Sequence, residues 1–188
     1  MPLEQGMVSL LNNASVAAFL GAAFAFGLVA ANDYRRRLKS KRQIRYLVSD
    51  NLDLARAKLE TVRTNIAMLT EDNRLSGAPI MAFPTAALKS KQLEVIDLLD
   101  ANQNQGLSVL LYWMEGIDGL LGEYVEATKR LRAVPKAGPE SPRRIELATE
   151  ILSTLTDATV SLEQLIEMCE WYGSDQIYKI FETQVPIR

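Results

Sequence analysis

Near its beginning the chain carries a run of 18 uncharged residues, Ala14 to Ala31, which reads ASVAAFLGAAFAFGLVAA. A basic segment follows, because seven of the eleven residues from Arg35 to Arg45 are Arg or Lys and none is acidic. An apolar run of this length is typical of a buried core helix, a secretory signal peptide or a membrane-spanning helix. The choice among these three decides what the rest of the chain can be.

The flanks of the run favour the membrane-spanning helix. A signal peptide carries its positive charge before the apolar run, whereas here Glu4 and no base precede it. Val29-Ala30-Ala31 would suit a cleavage site, but the bases that follow would resist export. A core helix would alternate with a polar face. Counted from Met7, the stretch spans about 37 Å at ~1.5 Å per residue, enough for a ~30 Å hydrocarbon layer.

We therefore predict a single-pass membrane protein with three regions: a transmembrane helix in residues 1–34, a basic juxtamembrane segment in 35–45 and a helical bundle in 46–188. Loops rich in Lys and Arg stay in the cytoplasm, so the N-terminus is expected outside and the bundle inside the cell, at the inner (plasma) membrane. Tyr34 lies where an interfacial aromatic residue belongs. The bases expected to contact lipid headgroups are Arg35, Arg36, Arg37, Lys39, Lys41 and Arg42.

Small residues recur every four positions in the span, and this spacing lets membrane helices approach closely. The predicted helix-packing seam consists of Ala17, Gly21, Ala23, Gly27 and Ala31. Asn12, Asn13 and Ser15 lie near the outer end. These polar side chains suit hydrogen bonds between helices or the lining of a wet pore, or they lie in the headgroup layer.

Residues 46–188 predict an all-α, antiparallel bundle of about four helices with a short tail. The transmembrane helix is expected to continue into the first of them and to break near Gly77 and Pro79, because no glycine or proline interrupts it from Leu28 to Ser76. The remaining helices are predicted at Ala86–Asp100, Leu107–Val134, Pro142–Tyr172 and Asp175–Glu182, with a polar break at Asn102–Gly106, a connector at 75–85 and a loop at 135–144.

Three further expectations concern packing. The first bundle helix should bury one stripe, and no sustained heptad repeat is expected. Gly116, Gly119 and Gly122 should require a close helix neighbour or a kink, since glycine weakens a helix. Ser141 before Pro142 predicts a helix start. The predicted buried stripe is Leu47, Leu52, Leu59, Val62, Ile66 and Leu69.

Composition excludes several kinds of chemistry. The chain has no histidine and a single cysteine, Cys169, so Ser-His or Cys-His catalytic pairs and intrachain disulfides are impossible. No phosphate-binding glycine loop or metal-ligand motif is present, and we expect no enzymatic activity, metal or cofactor. Residues 46–188 carry 21 acidic and 14 basic residues, a net −7 that predicts no direct nucleic-acid binding. Arg143 and Arg144, at a helix start, suggest an anion contact or merely an exposed pair.

The layout resembles the small membrane-anchored accessory proteins encoded beside type VI-B RNA-targeting CRISPR effectors, and related anti-phage membrane effectors. The resemblance rests on the span, the basic segment and the stretches 47-LVSDNLDLARAKLE-60, 84-PTAALKSKQLEVIDLLDANQ-103 and 107-LSVLLYWMEGIDGLLGEYVEA-127. It implies a HEPN-like cytoplasmic bundle and a ring-shaped pore. Catalytic HEPN domains use an Arg-x4–6-His motif, which this chain lacks, so the resemblance implies anchoring and pore formation alone.

Two function hypotheses follow. In the first, the chain is a homo-oligomeric, pore-forming or membrane-perturbing effector whose bundle gates it; its partners are the lipid bilayer, further copies of itself, and a defence-system nuclease or nucleotide signal. In the second, the chain is a membrane-tethered adaptor that binds a partner protein and conducts nothing.

Overall fold

The chain is all-α. A computed structural model describes residues 2–72, 80–134, 142–174 and 176–182, and these residues contain no strand. The helices are α1 (Pro2–Asp72), α2 (Thr85–Val95), α3 (Ala101–Ala133), α4 (Pro142–Gly173) and α5 (Tyr178–Glu182), with one 3₁₀ turn at Ile96–Leu98. The predicted fold class, a long apolar N-terminal helix followed by a helical bundle, is confirmed.

Two compact units divide the chain, Met1–Arg42 and Gln43–Arg188. Helix α1 is continuous through this division, as the absence of glycine and proline predicted. The second unit begins three residues before the predicted boundary, because Ile44 and Val48 already belong to its core. Residues 73–79, which include the predicted break near Gly77 and Pro79 and part of the connector, lie outside the described residues, as do Ser141 and most of the 135–144 loop.

Ion pairs and hydrogen bonds fix the directions of the helices in the second unit. Arg56 pairs with Glu170 and Arg63 with Glu163, so seven residues forward in α1 correspond to seven backward in α4. Lys89 pairs with Glu115, and Gln92 donates to the Ser108 hydroxyl, so α2 runs antiparallel to α3. The Arg130–Glu150 pair joins the end of α3 to the start of α4. The unit is therefore an up-down-up-down bundle.

The buried side of α1 differs from the prediction. Leu59, Val62 and Leu69 are buried, whereas Leu47 and Ile66 lie at the edge of the core. From Ile44 to Leu69 the buried positions other than Leu59 alternate in steps of four and three, which is a heptad spacing, although the sequence has no sustained heptad of apolar residues. These positions are Ile44, Val48, Asn51, Ala55, Lys58, Val62, Asn65 and Leu69. The pattern was hidden from hydrophobic periodicity because three of its members are polar.

Helix α3 begins six residues before its predicted start, and the predicted break at Asn102–Gly106 is wrong. A capping box starts the helix: the Gln103 backbone N–H donates to Asp100 Oδ1 over 2.8 Å, and the Asp100 N–H donates to Gln103 Oε1. The polar residues therefore form the first turn of α3 instead of a loop. Gly106 is accommodated because a Cβ there would lie 2.8 Å from Ile177 Cγ2.

The later helices also bury one side and leave apolar residues near helix ends exposed. Trp113, Ile117 and Tyr124 are buried in α3. Ile96 and Ile145 are exposed. Ile96 lies in the 3₁₀ turn that ends α2, where the α-helical period no longer holds, and Ile145 lies in the first turn of α4.

Candidate functional site

The apolar part of α1 is exposed on every side. All described residues from Ser15 to Lys39 are exposed, and Phe19 and Phe26 leave 74% and 77% of their surface uncovered. Within the described residues, one helix is long and apolar enough to cross a membrane, and none of its apolar window is buried. A contiguous apolar surface of this size is rare on a monomeric soluble protein. This surface is therefore a candidate for contact with a membrane or with another protein.

The predicted packing seam lies on this exposed surface. A Cβ added at Gly21 or Gly27 would meet no atom within 4 Å. The small residues thus form shallow rows along the helix, open to another helix. Ser15 is exposed next to them, whereas the side chains of Asn12 and Asn13 lie outside the described residues, although their backbone belongs to α1. The seam residues are Ala17, Gly21, Ala23, Gly27 and Ala31.

The basic segment, called the collar below, covers part of the circumference of α1. Five of its bases are exposed, and at about 100° per residue they are spread over roughly 220° of the helix, while Ser40 is buried. The segment Arg35–Arg45 extends about 15 Å along the axis at ~1.5 Å per residue, which is longer than the roughly 5–8 Å depth of one headgroup layer. Tyr34 is exposed at its apolar edge. The exposed bases are Arg35, Arg36, Arg37, Lys39 and Arg42, with Lys41 half-buried.

Arg143 and Arg144 have different surroundings. Arg143 is exposed, whereas Arg144 is half-buried and its Nη1 donates to the Val134 carbonyl over 3.1 Å. This bond satisfies a carbonyl at the C-terminal end of α3, where a positive charge is favourable. Arg144 also lines a cavity of about 210 Å³ together with Thr70 and Thr149. Its visible role is to close the end of the bundle.

A buried charge lies at the centre of the bundle. Lys58 is 3% exposed, and its Nζ donates to Asp118 Oδ1 over 2.8 Å. The same carboxylate accepts the Phe83 backbone N–H at 2.7 Å, and Lys58 Nζ lies 4.1 Å from the centroid of the Phe83 ring. Burial lowers the pKa of Lys58 below its usual 10.5, while the hydrogen bond and charge attraction of Asp118 oppose that shift. Asp118 therefore joins α1, α3 and the residues before α2.

Two asparagines flank Lys58 at seven-residue spacing. Asn51 is 2% exposed and donates through Nδ2 to the Leu47 carbonyl, while its Oδ1 has no hydrogen-bond partner among the described residues. Asn65 is fully buried, and neither Oδ1 nor Nδ2 has such a partner. A buried polar group without a partner costs about 1–3 kcal/mol. These polar residues on the buried side of α1 thus make the folded bundle less stable than apolar residues of similar size would.

A groove of about 550 Å³ runs between α3 and α4 on the outside of the bundle. Gly116 and Gly119 contribute to its wall, and Val160 and Leu120 supply exposed and half-buried apolar surface. Of the described residues, none comes within 4 Å of a Cβ placed at Gly119 or Gly122, so the close helix neighbour expected there is absent from the bundle itself. Each glycine weakens the helix by about 1 kcal/mol relative to alanine.

Cys169 is an inert thiol in the core. It is 2% exposed, and burial raises its pKa to about 12, with the charge of Glu170 acting in the same direction. Thiol reactivity requires the thiolate, which is not formed at neutral pH under these conditions.

Comparisons with protein-family models, curated proteins and solved structures give no match. The functional argument therefore rests on the residues of this chain. The exposed apolar run, the collar and the rows of small residues were recognisable in the sequence, while their roles as span, lipid contact and packing seam stay predictions. The polar row of α1 and the α3–α4 groove were missed; the seven-residue spacing of Asn51, Lys58 and Asn65 was the signal for the first.

Proposed function

We propose that this chain is a single-pass membrane protein that assembles with further copies of itself in the bilayer. The observation that carries the proposal is the fully exposed apolar surface between Ser15 and Tyr34. Burying one large apolar side chain contributes about 1.5–3 kcal/mol. Burial of the phenylalanines, leucines and valines of this helix in a bilayer therefore contributes a large favourable free energy. Residues 14–31 span about 27 Å at ~1.5 Å per residue, close to the hydrocarbon thickness.

The collar supports one orientation. Lys and Arg beside a span are retained in the cytoplasm, so the proposal places the bundle inside the cell and the short N-terminal end outside, at the plasma (inner) membrane. Each base near an anionic lipid surface contributes roughly 1 kcal/mol at physiological ionic strength.

Assembly in the bilayer is supported by the two open rows of small residues. One helix cannot enclose a pore, so a pore needs a ring of copies packed along such rows. The proposed activity is that of a pore-forming or membrane-perturbing effector, as the resemblance to anti-phage membrane proteins implies. Gating by the bundle is part of the same proposal, because the bundle follows the apolar segment in the same chain.

The mass of the protein particle, after the detergent contribution is subtracted, tests this function. A defined ring of six or more copies is the expected result, and Gly27→Leu should lower the copy number, whereas the matched change Phe26→Leu, one position along the same helix, should not. A monomeric wild-type particle would exclude the pore.

Membrane leakage provides the second test. Replacing Asn12 and Asn13 by Leu should abolish dye or ion leakage from loaded cells without lowering expression, because a pore lining needs polar groups. Val16→Leu, an apolar exchange in the same part of the helix, should leave leakage unchanged. Equal leakage from all three proteins would contradict the assignment of the two asparagines to a pore.

A membrane-tethered adaptor is the second candidate function, and the α3–α4 groove favours it. A scaffold needs a binding surface on its soluble part and no conduction, and the groove is a surface of that kind. The adaptor predicts a monomer or dimer in detergent and no dependence of any leakage on Asn12 or Asn13.

A further inference from the structure

The glycines of α3 fall into two classes according to what surrounds them. At Gly106 a Cβ would lie 2.8 Å from Ile177 Cγ2 and 3.5 Å from the Tyr172 ring, so the bundle itself requires glycine there. At Gly119 and Gly122 the same test finds no described atom within 4 Å. Internal packing explains the first glycine and leaves the other two without a reason inside the chain.

The two unexplained glycines continue a row across the surface of α3. Gly119 and Gly122 follow Gly116 at steps of three residues, and residues at this spacing form one of the ridges along which helices interlock. Removing three side chains from one ridge leaves a trough about 9 Å long, from ~1.5 Å rise per residue. The trough opens onto the groove between α3 and α4, whose wall contains Val160 and the edge of the buried Trp113.

Two carboxylates and a buried amide oxygen are the acceptors without described partners around the groove. Glu123 and Asp157 line it, and neither makes an ion pair or hydrogen bond with a described residue. Gln164 Oε1 is buried in the wall and has no described partner. The described lining residues include no Lys or Arg. An occupant that complements these groups must supply donors and positive charge.

We propose that the α3–α4 groove is the docking site for a positively charged amphipathic helix of a partner protein. Its apolar face would cover Leu120 and Val160, and its Lys or Arg side chains would meet Glu123 and Asp157. A helix accounts for the trough as a whole, since ridges pack into such troughs, whereas a small organic cation in the groove leaves Gly122 unexplained. A second copy of this chain, docked by the same face, would bring four carboxylates together.

The test uses the full-length chain in nanodiscs of zwitterionic lipid and a labelled 18-residue helical peptide of Leu, Ala and Lys with all its lysines on one face. Fluorescence anisotropy measures binding, and empty nanodiscs give the lipid background. The wild-type chain should bind the peptide, and binding should weaken at least tenfold when Gly119 and Gly122 are both changed to Leu. Glu123→Gln with Asp157→Asn should also weaken it about tenfold, whereas the matched charge changes Glu94→Gln with Glu146→Gln should not.

Gly119→Ala and Gly122→Ala separate docking from folding. Alanine favours a helix more than glycine does, so these variants should raise the urea midpoint of the bundle while weakening peptide binding. Equal binding by the wild type and the Leu variant, or no binding above empty nanodiscs, would overturn the proposal. Tighter binding of a peptide of residues 33–46 would assign the groove to a second copy, and displacement by micromolar spermine would assign it to a small cation; either result also overturns it.

This inference does not rest on pore formation, because peptide binding is measured without assembly or leakage. A monomeric particle that binds the peptide would therefore exclude the pore and retain the docking site.

Discussion

The buried ion pair between Lys58 and Asp118 gives the sharpest prediction for the bundle. Asp118→Asn removes the negative charge but keeps an oxygen that can accept the Phe83 N–H, now 2.7 Å from the carboxylate. It leaves Lys58, 3% exposed, without its counter-charge at 2.8 Å. Removing one partner of a buried pair destabilises a protein by about 3–5 kcal/mol.

The titration of Lys58 sets an upper bound on this loss. Deprotonating a lysine of ordinary pKa 10.5 at pH 7 takes about 5 kcal/mol. If the buried charge destabilised the folded variant by more than this, Lys58 would release its proton, so the loss of stability stays below about 5 kcal/mol. We therefore expect Asp118→Asn to lower the free energy of unfolding by about 3–5 kcal/mol at pH 7. This is a large part of the ~5–15 kcal/mol that stabilises a typical domain.

Tryptophan fluorescence during urea titration measures the loss, because both tryptophans of the chain, Trp113 and Trp171, lie in the bundle. The loss should shrink as the pH rises towards 10.5. Burial lowers the pKa of Lys58 in the folded state, so between that pKa and 10.5 the unfolded chain binds more protons and stability increases with pH.

The double variant Lys58→Met with Asp118→Asn is the control. It has no buried charge, so its free energy of unfolding should lie within about 1.5 kcal/mol of the wild-type value. Its loss of stability should be much smaller than the sum of the losses of the two single variants. The reasoning is refuted if Asp118→Asn costs less than about 1 kcal/mol, a loss typical of an exposed pair, or if the double variant loses as much as the two single variants combined.

The remaining predictions concern single residues of the bundle. Asn65→Leu should raise the free energy of unfolding by about 1–2 kcal/mol in the same urea titration, because it removes a buried amide without a described partner; a loss of stability would show that the amide is satisfied. Arg63→Ala should cost less than about 1 kcal/mol, since its pair with Glu163 is half exposed; a larger loss would show that the pair is a structural requirement. Cys169 should resist iodoacetamide at pH 8 until the bundle unfolds, because burial raises its pKa to about 12; rapid modification of the folded chain would contradict its burial.

The sequence predicted those parts of the fold that depend on one helix at a time. The continuity of α1 followed from the absence of glycine and proline, and the start of α4 from Pro142. The start of α3 was missed because Asp100 was taken as the end of the preceding helix and Gln103 as part of a polar break, although together they form a capping box.

Features that depend on two or more helices could not be derived from periodicity. In the sequence, Lys58 is one polar residue among others on an amphipathic helix. Its buried ion pair is visible only in the fold, because its partner Asp118 lies in α3, 60 positions further along the chain. The groove likewise exists only when α3 and α4 lie side by side, and glycine spacing alone cannot tell whether Gly119 faces a neighbour inside the bundle or outside it.

The central claim is that the apolar half of α1 lies across a bilayer. Washing broken cells with alkaline carbonate strips peripheral proteins from membranes but leaves inserted helices in place, so the distribution of the full-length chain after centrifugation tests the claim directly. We predict that the chain stays in the membrane pellet. Its release into the supernatant would contradict the account, since the exposed surface from Ser15 to Tyr34 would then have to be covered by protein.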